Sequence, residues 1–66
     1  MTVAKTIEII STSNKGFDDA VSSGVAEASK SVNNIKSAWV KDHSVSVENG
    51  AVTEWKVNLK VTFVVA

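Results

Sequence analysis

Few side chains in this chain of 66 residues could carry out chemistry. The sequence contains one histidine, His43, and no cysteine or arginine. It also has no glycine-rich phosphate loop and no pair of carboxylates at a diagnostic spacing, so no nucleophile is matched with a base. The residue types therefore predict a protein that is not an enzyme.

Trp39 is the side chain that most suggests a binding site. Apolar and polar residues alternate from Glu54 to Val65, and the dipeptide Asn49-Gly50 just before them is the strongest short signal for a two-residue hairpin. Pairing the strands about that turn places Trp39 opposite Lys60, on the polar face of the sheet. A large indole there packs against another subunit, stacks on a planar ligand or is simply exposed.

Three basic side chains are expected on the same face as Trp39. They are His43, Lys56 and Lys60, and together they could meet an anion such as a phosphate. Lysines on an exposed strand also serve only to prevent edge-to-edge pairing of sheets. Trp55 falls on the opposite, apolar face, where we expect it to anchor the core or a subunit interface.

The charge balance limits the classes of partner. Seven lysines match seven aspartates and glutamates, so the formal net charge is +0 and no basic run marks a nucleic-acid surface. A structural site of histidine and cysteine ligands cannot form from one histidine. Glu8, Asp42 and Glu54 could offer oxygen ligands to a hard cation, although their spacing matches no calcium loop.

The order of elements is predicted to be strand, helix, strand, strand. β-Branched residues from Val3 to Ile10 indicate the first strand, and a second strand runs from Ile35 to Val47 before the hairpin turn. The apolar residues of the second strand change parity after Asp42. A bulge near His43, or burial of the outer half against a neighbouring chain, would explain that change.

A helix is predicted from about Phe17 to Val32. Its apolar residues are spaced three, four and seven apart, so they share one face. Gly24 lowers helix propensity by about 1 kcal/mol relative to alanine, and close packing on the sheet is the expected reason for it. Asn33-Asn34 is expected to end the helix, because asparagine tolerates the left-handed conformation.

The size of the chain predicts self-association. Residues 1–66 form a single domain, and a domain this small buries only about 60% of the surface of its unfolded form. The strand Glu54–Val65 would be about 36 Å long, whereas a compact protein of this size is about 28 Å across. No apolar run of signal-peptide or membrane-spanning length is present, and the lack of cysteine fits a cytoplasmic location.

Three segments carry a family resemblance, and they are Ile7-Glu8-Ile9-Ile10-Ser11-Thr12-Ser13, Ala26-Glu27-Ala28-Ser29-Lys30-Ser31-Val32 and Lys56-Val57-Asn58-Leu59-Lys60-Val61-Thr62-Phe63. Together they resemble the dodecin family, and the resemblance covers essentially the whole chain. It implies an α+β fold in which each β-α-β-β subunit has a three-stranded antiparallel sheet partly wrapping one helix. It also implies a hollow homododecamer that is not an enzyme and that sequesters flavins, FMN or riboflavin, between aromatic residues at subunit contacts.

Two positions depart from the family's flavin-binding pattern. The resemblance implies a stacking tryptophan at Ser37 and, at Lys56, a glutamine that hydrogen-bonds the flavin ring. Trp39 lies two residues further along, on the same face as Ser37, so a displaced indole could still offer a stacking platform. Some proteins of this family that lack the flavin residues are associated with cations, so a flavin-independent particle, either structural or binding a cation such as calcium, is the alternative.

Overall fold

The computed structural model describes residues 2–65 and has the predicted β-α-β-β order. The three strands form one antiparallel sheet in the order β1-β3-β2, so the last strand of the chain lies in the centre. The helix covers one face of this sheet, which we call the helix face. The uncovered face is called the open face. The elements are β1 Val3–Ser13, α1 Phe17–Ala28, β2 Ile35–Glu48 and β3 Ala51–Val65.

The core lies between α1 and the central strand β3. Val57, Leu59 and Val61 alternate along β3 and are buried under Ala20 of the helix. Ile7 and Ile9 of β1 pair with Val61 and Leu59 and pack against the same cluster. The intervening residues of β3 therefore point to the open face.

Gly24 lets the helix approach the sheet closely. A Cβ atom at this position would lie 2.9 Å from the Ser11 Cβ and 3.3 Å from the Leu59 Cδ1 atom. Real Cβ atoms do not make contacts as short as the first of these. Close packing, the expected reason for this glycine, is confirmed.

The helix ends four residues earlier than predicted. It stops at Ala28, and the backbone N–H groups of Lys30 and Ser31 bond to carbonyls only three residues back. The Ser29 hydroxyl also donates to the Val25 carbonyl at 2.8 Å. These bonds tighten the last turn and end the helix, so the prediction that Asn33-Asn34 ends it is wrong. Asn34 does adopt a left-handed φ of 63°, but it leads into β2.

The hairpin turn is confirmed, and the predicted register holds next to the turn and for β2 residues 37–40, whereas residues 42–46 pair one residue out of it. Asn49 and Gly50 have φ values of 51° and 78°, as a two-residue type I′ turn requires. Trp39 pairs with Lys60, and its neighbours on β2 pair with Val61 and Leu59 as predicted. The register then shifts between Val40 and Asp42, which confirms the predicted bulge but places it at Lys41.

The subunit is elongated, and its hairpin extends beyond the helix. The principal extents are 52 × 19 × 14 Å. The helix packs on β1 and β3 and makes few contacts with β2, of which every residue except Ile35 is exposed. Val45, Val47 and Val52 near the turn are 41–58% exposed. Within residues 2–65, no helix has the length and apolar character needed to cross a membrane.

Candidate ligand-binding site

The open face carries the candidate site residues in cross-strand rows. Each row has one residue from β1, one from β3 and one from β2, because the register pairs all three strands. Side chains within a row are close neighbours, and adjacent rows are about two residues apart along the strand. The rows are Thr6-Thr62-Ser37, Glu8-Lys60-Trp39, Ile10-Asn58-Asp42 and Thr12-Lys56-Ser44.

Trp39 is an uncovered aromatic platform in the second row. Its side chain is 62% exposed, and the Nζ atom of Lys60 lies 5.7 Å from the ring centroid. A cation over an exposed indole contributes only about 0.5–1 kcal/mol, so a planar ligand could displace it at small cost. The platform therefore combines an exposed aromatic ring with a positive charge that lies over it.

Lys41, the bulged residue, affects the charge around this platform. Its Nζ atom lies 3.5 Å from Glu8 Oε1, and both side chains are almost half exposed. Glu8 is the register partner of Lys60, yet its carboxylate interacts with Lys41. Because Glu8 interacts with Lys41, the Lys60 side chain is left to interact with the Trp39 ring.

Asn58 contributes an unpaired acceptor in the row beside Trp39. Its Oδ1 atom is buried and finds no hydrogen-bond partner among residues 2–65. Almost all buried polar atoms in folded proteins are hydrogen-bonded, so this atom calls for an explanation. Asn58 is not among the site residues predicted from the sequence, because strand alternation identifies its face but does not show whether the amide is paired.

His43 lies on the helix face, so the prediction that it shares the face of Trp39 is wrong. The bulge at Lys41 reverses the alternation, and His43 pairs with buried Val57. Its ring packs edge-on against Phe17, with centroids 4.5 Å apart and an interplanar angle of 73°. The shared face was the reason for grouping His43 with the two lysines, and that reason does not hold.

Ser37 and Lys56, the family's two flavin positions, lie on the open face but far apart in one subunit. Ser37 pairs with Thr62, and Lys56 is six residues from Thr62 on β3, a separation of about 20 Å. In contrast, Trp39 and Asn58 occupy adjacent rows. Trp55 is half-buried on the helix face, opposite Ser13 and Val45, as expected of an anchor.

The three carboxylates considered for a cation do not meet in one subunit. No group of three or more His, Asp or Glu side chains suited to a metal ion occurs within the described range 2–65. Glu8 interacts with Lys41, whereas Asp42 and Glu54 lie in rows opposite Asn58 and Ser46. An open depression at the helix end involves none of these residues; it is lined by Ser31, Val32, Asn33, Asn34, Phe63, Val64 and Val65.

Comparison with known proteins gives one consistent result. A model of the Dodecin family matches residues 3–66. A mutant of the T. thermophilus dodecin superimposes with a TM-score of 0.94 at 27% identity, covering 100% of this chain and 98% of that one. The Streptomyces coelicolor dodecin gives 0.93 at 29% identity, with coverage of 98% and 93%.

A third solved structure has a description that names a ligand. It is the calcium dodecin of Mycobacterium tuberculosis, described as calcium-chelating and as having a novel calcium-binding site; the TM-score is 0.81 at 32% identity, covering 92% of this chain and 87% of that one. The search of the curated proteins found no match. The family match over nearly the whole length, together with the superposition of every element, shows that the chain belongs to the dodecin family.

Proposed function

We propose that this chain forms a hollow homododecamer that binds and sequesters a flavin, FMN or riboflavin, or a similar planar ligand, on its open face where subunits meet. Dodecins are small dodecameric ligand-binding proteins, known for binding flavins without catalysing a reaction. The proposal extends those family properties to this chain. It includes a cytoplasmic location, which the absence of cysteine fits.

The observation that carries the proposal is Trp39. An indole that is 62% exposed on a mostly polar sheet face, with the Lys60 ammonium group over its ring, matches what a planar anionic ligand needs. Stacking on such a ring contributes about 1–3 kcal/mol by analogy with base–aromatic contacts. FMN, which has a planar ring system and a phosphate, fits both features.

The exposed hairpin supports assembly. Val45, Val47 and Val52 form an apolar patch beyond the end of the helix, next to half-buried Trp55. Apolar patches that a small subunit leaves uncovered mark interaction surfaces, and a domain of this size gains stability from association. A second copy of the chain is the partner that the family relationship favours.

Titration with FMN tests the binding proposal. The protein is unfolded and refolded to remove bound ligand, and flavin fluorescence is followed as the assembled protein is added. We expect quenching at micromolar concentrations, because an indole stacked on the ring donates an electron to the excited flavin. An unchanged flavin signal over that range would contradict the proposal.

Calcium binding is the second candidate, and similarity to the M. tuberculosis calcium dodecin favours it. Since residues 2–65 of one subunit hold no metal-binding group of three acids or histidines, a cation would have to bridge carboxylates from several copies. Isothermal calorimetry of chelator-treated protein with calcium separates the candidates. A saturable heat that Glu8→Gln abolishes, without flavin quenching, would favour the cation.

A further inference from the structure

We propose that Asn58 selects the ligand by accepting a hydrogen bond from a ring N–H of a planar heterocycle stacked on Trp39. The inference rests on the proposed function and deepens it, because it specifies one chemical group that the ligand must carry. Its basis is the unpaired Oδ1 atom of Asn58, which lies beside the exposed indole.

The positions of the two residues allow one ligand to contact both. Asn58 precedes Lys60, the cross-strand partner of Trp39, by two residues, so Trp39 and Asn58 are diagonal neighbours on the open face. Diagonal neighbours in an antiparallel sheet are about 7–8 Å apart. A fused heterocycle of two or three rings spans that distance, so one edge can reach Asn58 while its face lies on the indole.

The unpaired acceptor indicates which group the ligand must offer. A buried carbonyl oxygen without a partner destabilises the subunit, and any ligand that donates a hydrogen bond to it gains what the free protein lacks. A heterocycle with an imide or lactam N–H at its edge is such a donor. A ligand whose corresponding nitrogen is alkylated cannot donate, and it leaves the oxygen unpaired.

Lys60 connects the two contacts. It flanks Asn58 along β3, and its Nζ atom lies over the Trp39 ring. A stacked ring must displace that ammonium group. We expect the same movement to give the ligand access to the Asn58 Oδ1 atom, which is buried in the free subunit.

This arrangement differs from the pattern implied by the family resemblance. There the aromatic and amide positions are Ser37 and Lys56, whose rows are about 20 Å apart on one subunit. Here an indole and an amide occupy adjacent rows of the same subunit. One copy therefore supplies both the stacking surface and the acceptor.

Comparing FMN with N3-methyl-FMN tests the inference, because methylation removes the single ring N–H donor of the oxidised flavin. Dissociation constants are measured by fluorescence for the assembled wild-type protein and for Asn58→Val. We expect N3-methylation to weaken binding to the wild type about tenfold and to have no effect on the variant. Thr62→Ala, on the same face, is the matched control and should retain the discrimination.

Asn58→Val also provides a readout that does not involve a ligand. Valine suits a strand and removes the unpaired amide, so the ligand-free variant should unfold at a higher temperature than the wild type. Equal binding of both flavins to the wild type, or discrimination that persists in Asn58→Val, would overturn the inference and leave the proposed function intact. Failure of the wild type to bind any flavin would overturn both.

Discussion

The proposed binding depends on an aromatic ring that its own subunit does not cover. Trp39 is exposed because it points to the open face, where β2 is joined only to β3 and the helix is absent. The side chains around it are polar or charged, so the subunit gains little from burying the indole. Lys60 occupies the ring face weakly, which leaves the site available to a ligand that stacks better.

Trp39→Ala should weaken FMN binding about tenfold to a hundredfold, because about 1–3 kcal/mol of stacking is lost. Fluorescence titration of the assembled protein measures the dissociation constant. Trp39→Phe is the control, since it keeps an aromatic platform and should lose much less affinity. An unchanged dissociation constant for Trp39→Ala would show that the flavin binds elsewhere.

Gly24→Ala should destabilise the protein although alanine favours helices. The added Cβ would meet the Ser11 side chain at 2.9–3.1 Å, and overpacking of this kind costs about 1–3 kcal/mol against a propensity gain of about 1. The midpoint of thermal unfolding at fixed protein concentration should fall. Ser22→Ala, on the exposed side of the same helix, should leave the midpoint unchanged or raise it.

Residue positions could be predicted where the irregularities of the two strands cancel. Trp39 keeps the partner and face expected from the Asn49-Gly50 turn, because the extra residue of β2 at Lys41 is offset by an extra residue of β3 at Thr53. His43 lies beyond the bulge at Lys41, and a shift of one residue moves a side chain to the other face. The change in apolar parity indicated a bulge near His43. The bulge lies two residues earlier, at Lys41, and that difference decides which face His43 points to.

At the level of elements, the turn between β1 and α1 positions the helix on the sheet. Ser13 is buried, donates to Asp19 Oδ2 at 2.6 Å and accepts the Lys15 backbone N–H at 2.9 Å. These bonds connect the end of the strand to the first helical turn. They hold the first turn of the helix against the end of β1.

Ser13→Ala should destabilise the subunit by about 1–2 kcal/mol, because Asp19 and a backbone N–H lose their partner in a partly buried place. Thermal unfolding at constant concentration measures the loss. Thr12→Ala alters the exposed neighbouring side chain and should have little effect. Equal changes in the two variants would contradict a specific role for the Ser13 hydroxyl.

The elements themselves were largely predictable, whereas their ends were less so. Strand alternation and the helical spacing gave all four elements, because each buries one apolar face. The helix end was misplaced because Val32 continues the apolar spacing while the Ser29-Lys30-Ser31 segment already forms a tighter turn. Bonding of backbone and hydroxyl groups there outweighs the pattern of apolar residues.

At the level of the whole molecule, a single subunit does not cover the apolar residues of its own hairpin. The molecule is 52 Å long, and its core consists of one helix on the middle of a sheet whose β2 edge is exposed. The apolar patch of Val45, Val47 and Val52 lies where the helix gives no cover. Association with further copies would bury this patch and place open faces next to one another.

Val47→Lys should therefore disrupt assembly, because a lysine would place a charge within an apolar contact. Size-exclusion chromatography with light scattering should show smaller species for this variant. Ser22→Lys adds the same charge on the exposed side of α1, away from both the patch and the open face, and should assemble as the wild type does. Normal assembly of Val47→Lys would show that the patch is not an interface.

Native mass spectrometry of the purified protein, with and without FMN, tests the central claim most directly, since it reports subunit number and bound ligand together. We predict a dominant species of twelve chains of 7.0 kDa each, which gains discrete flavin masses when FMN is added. A well-folded monomer at assay dilution would contradict the account.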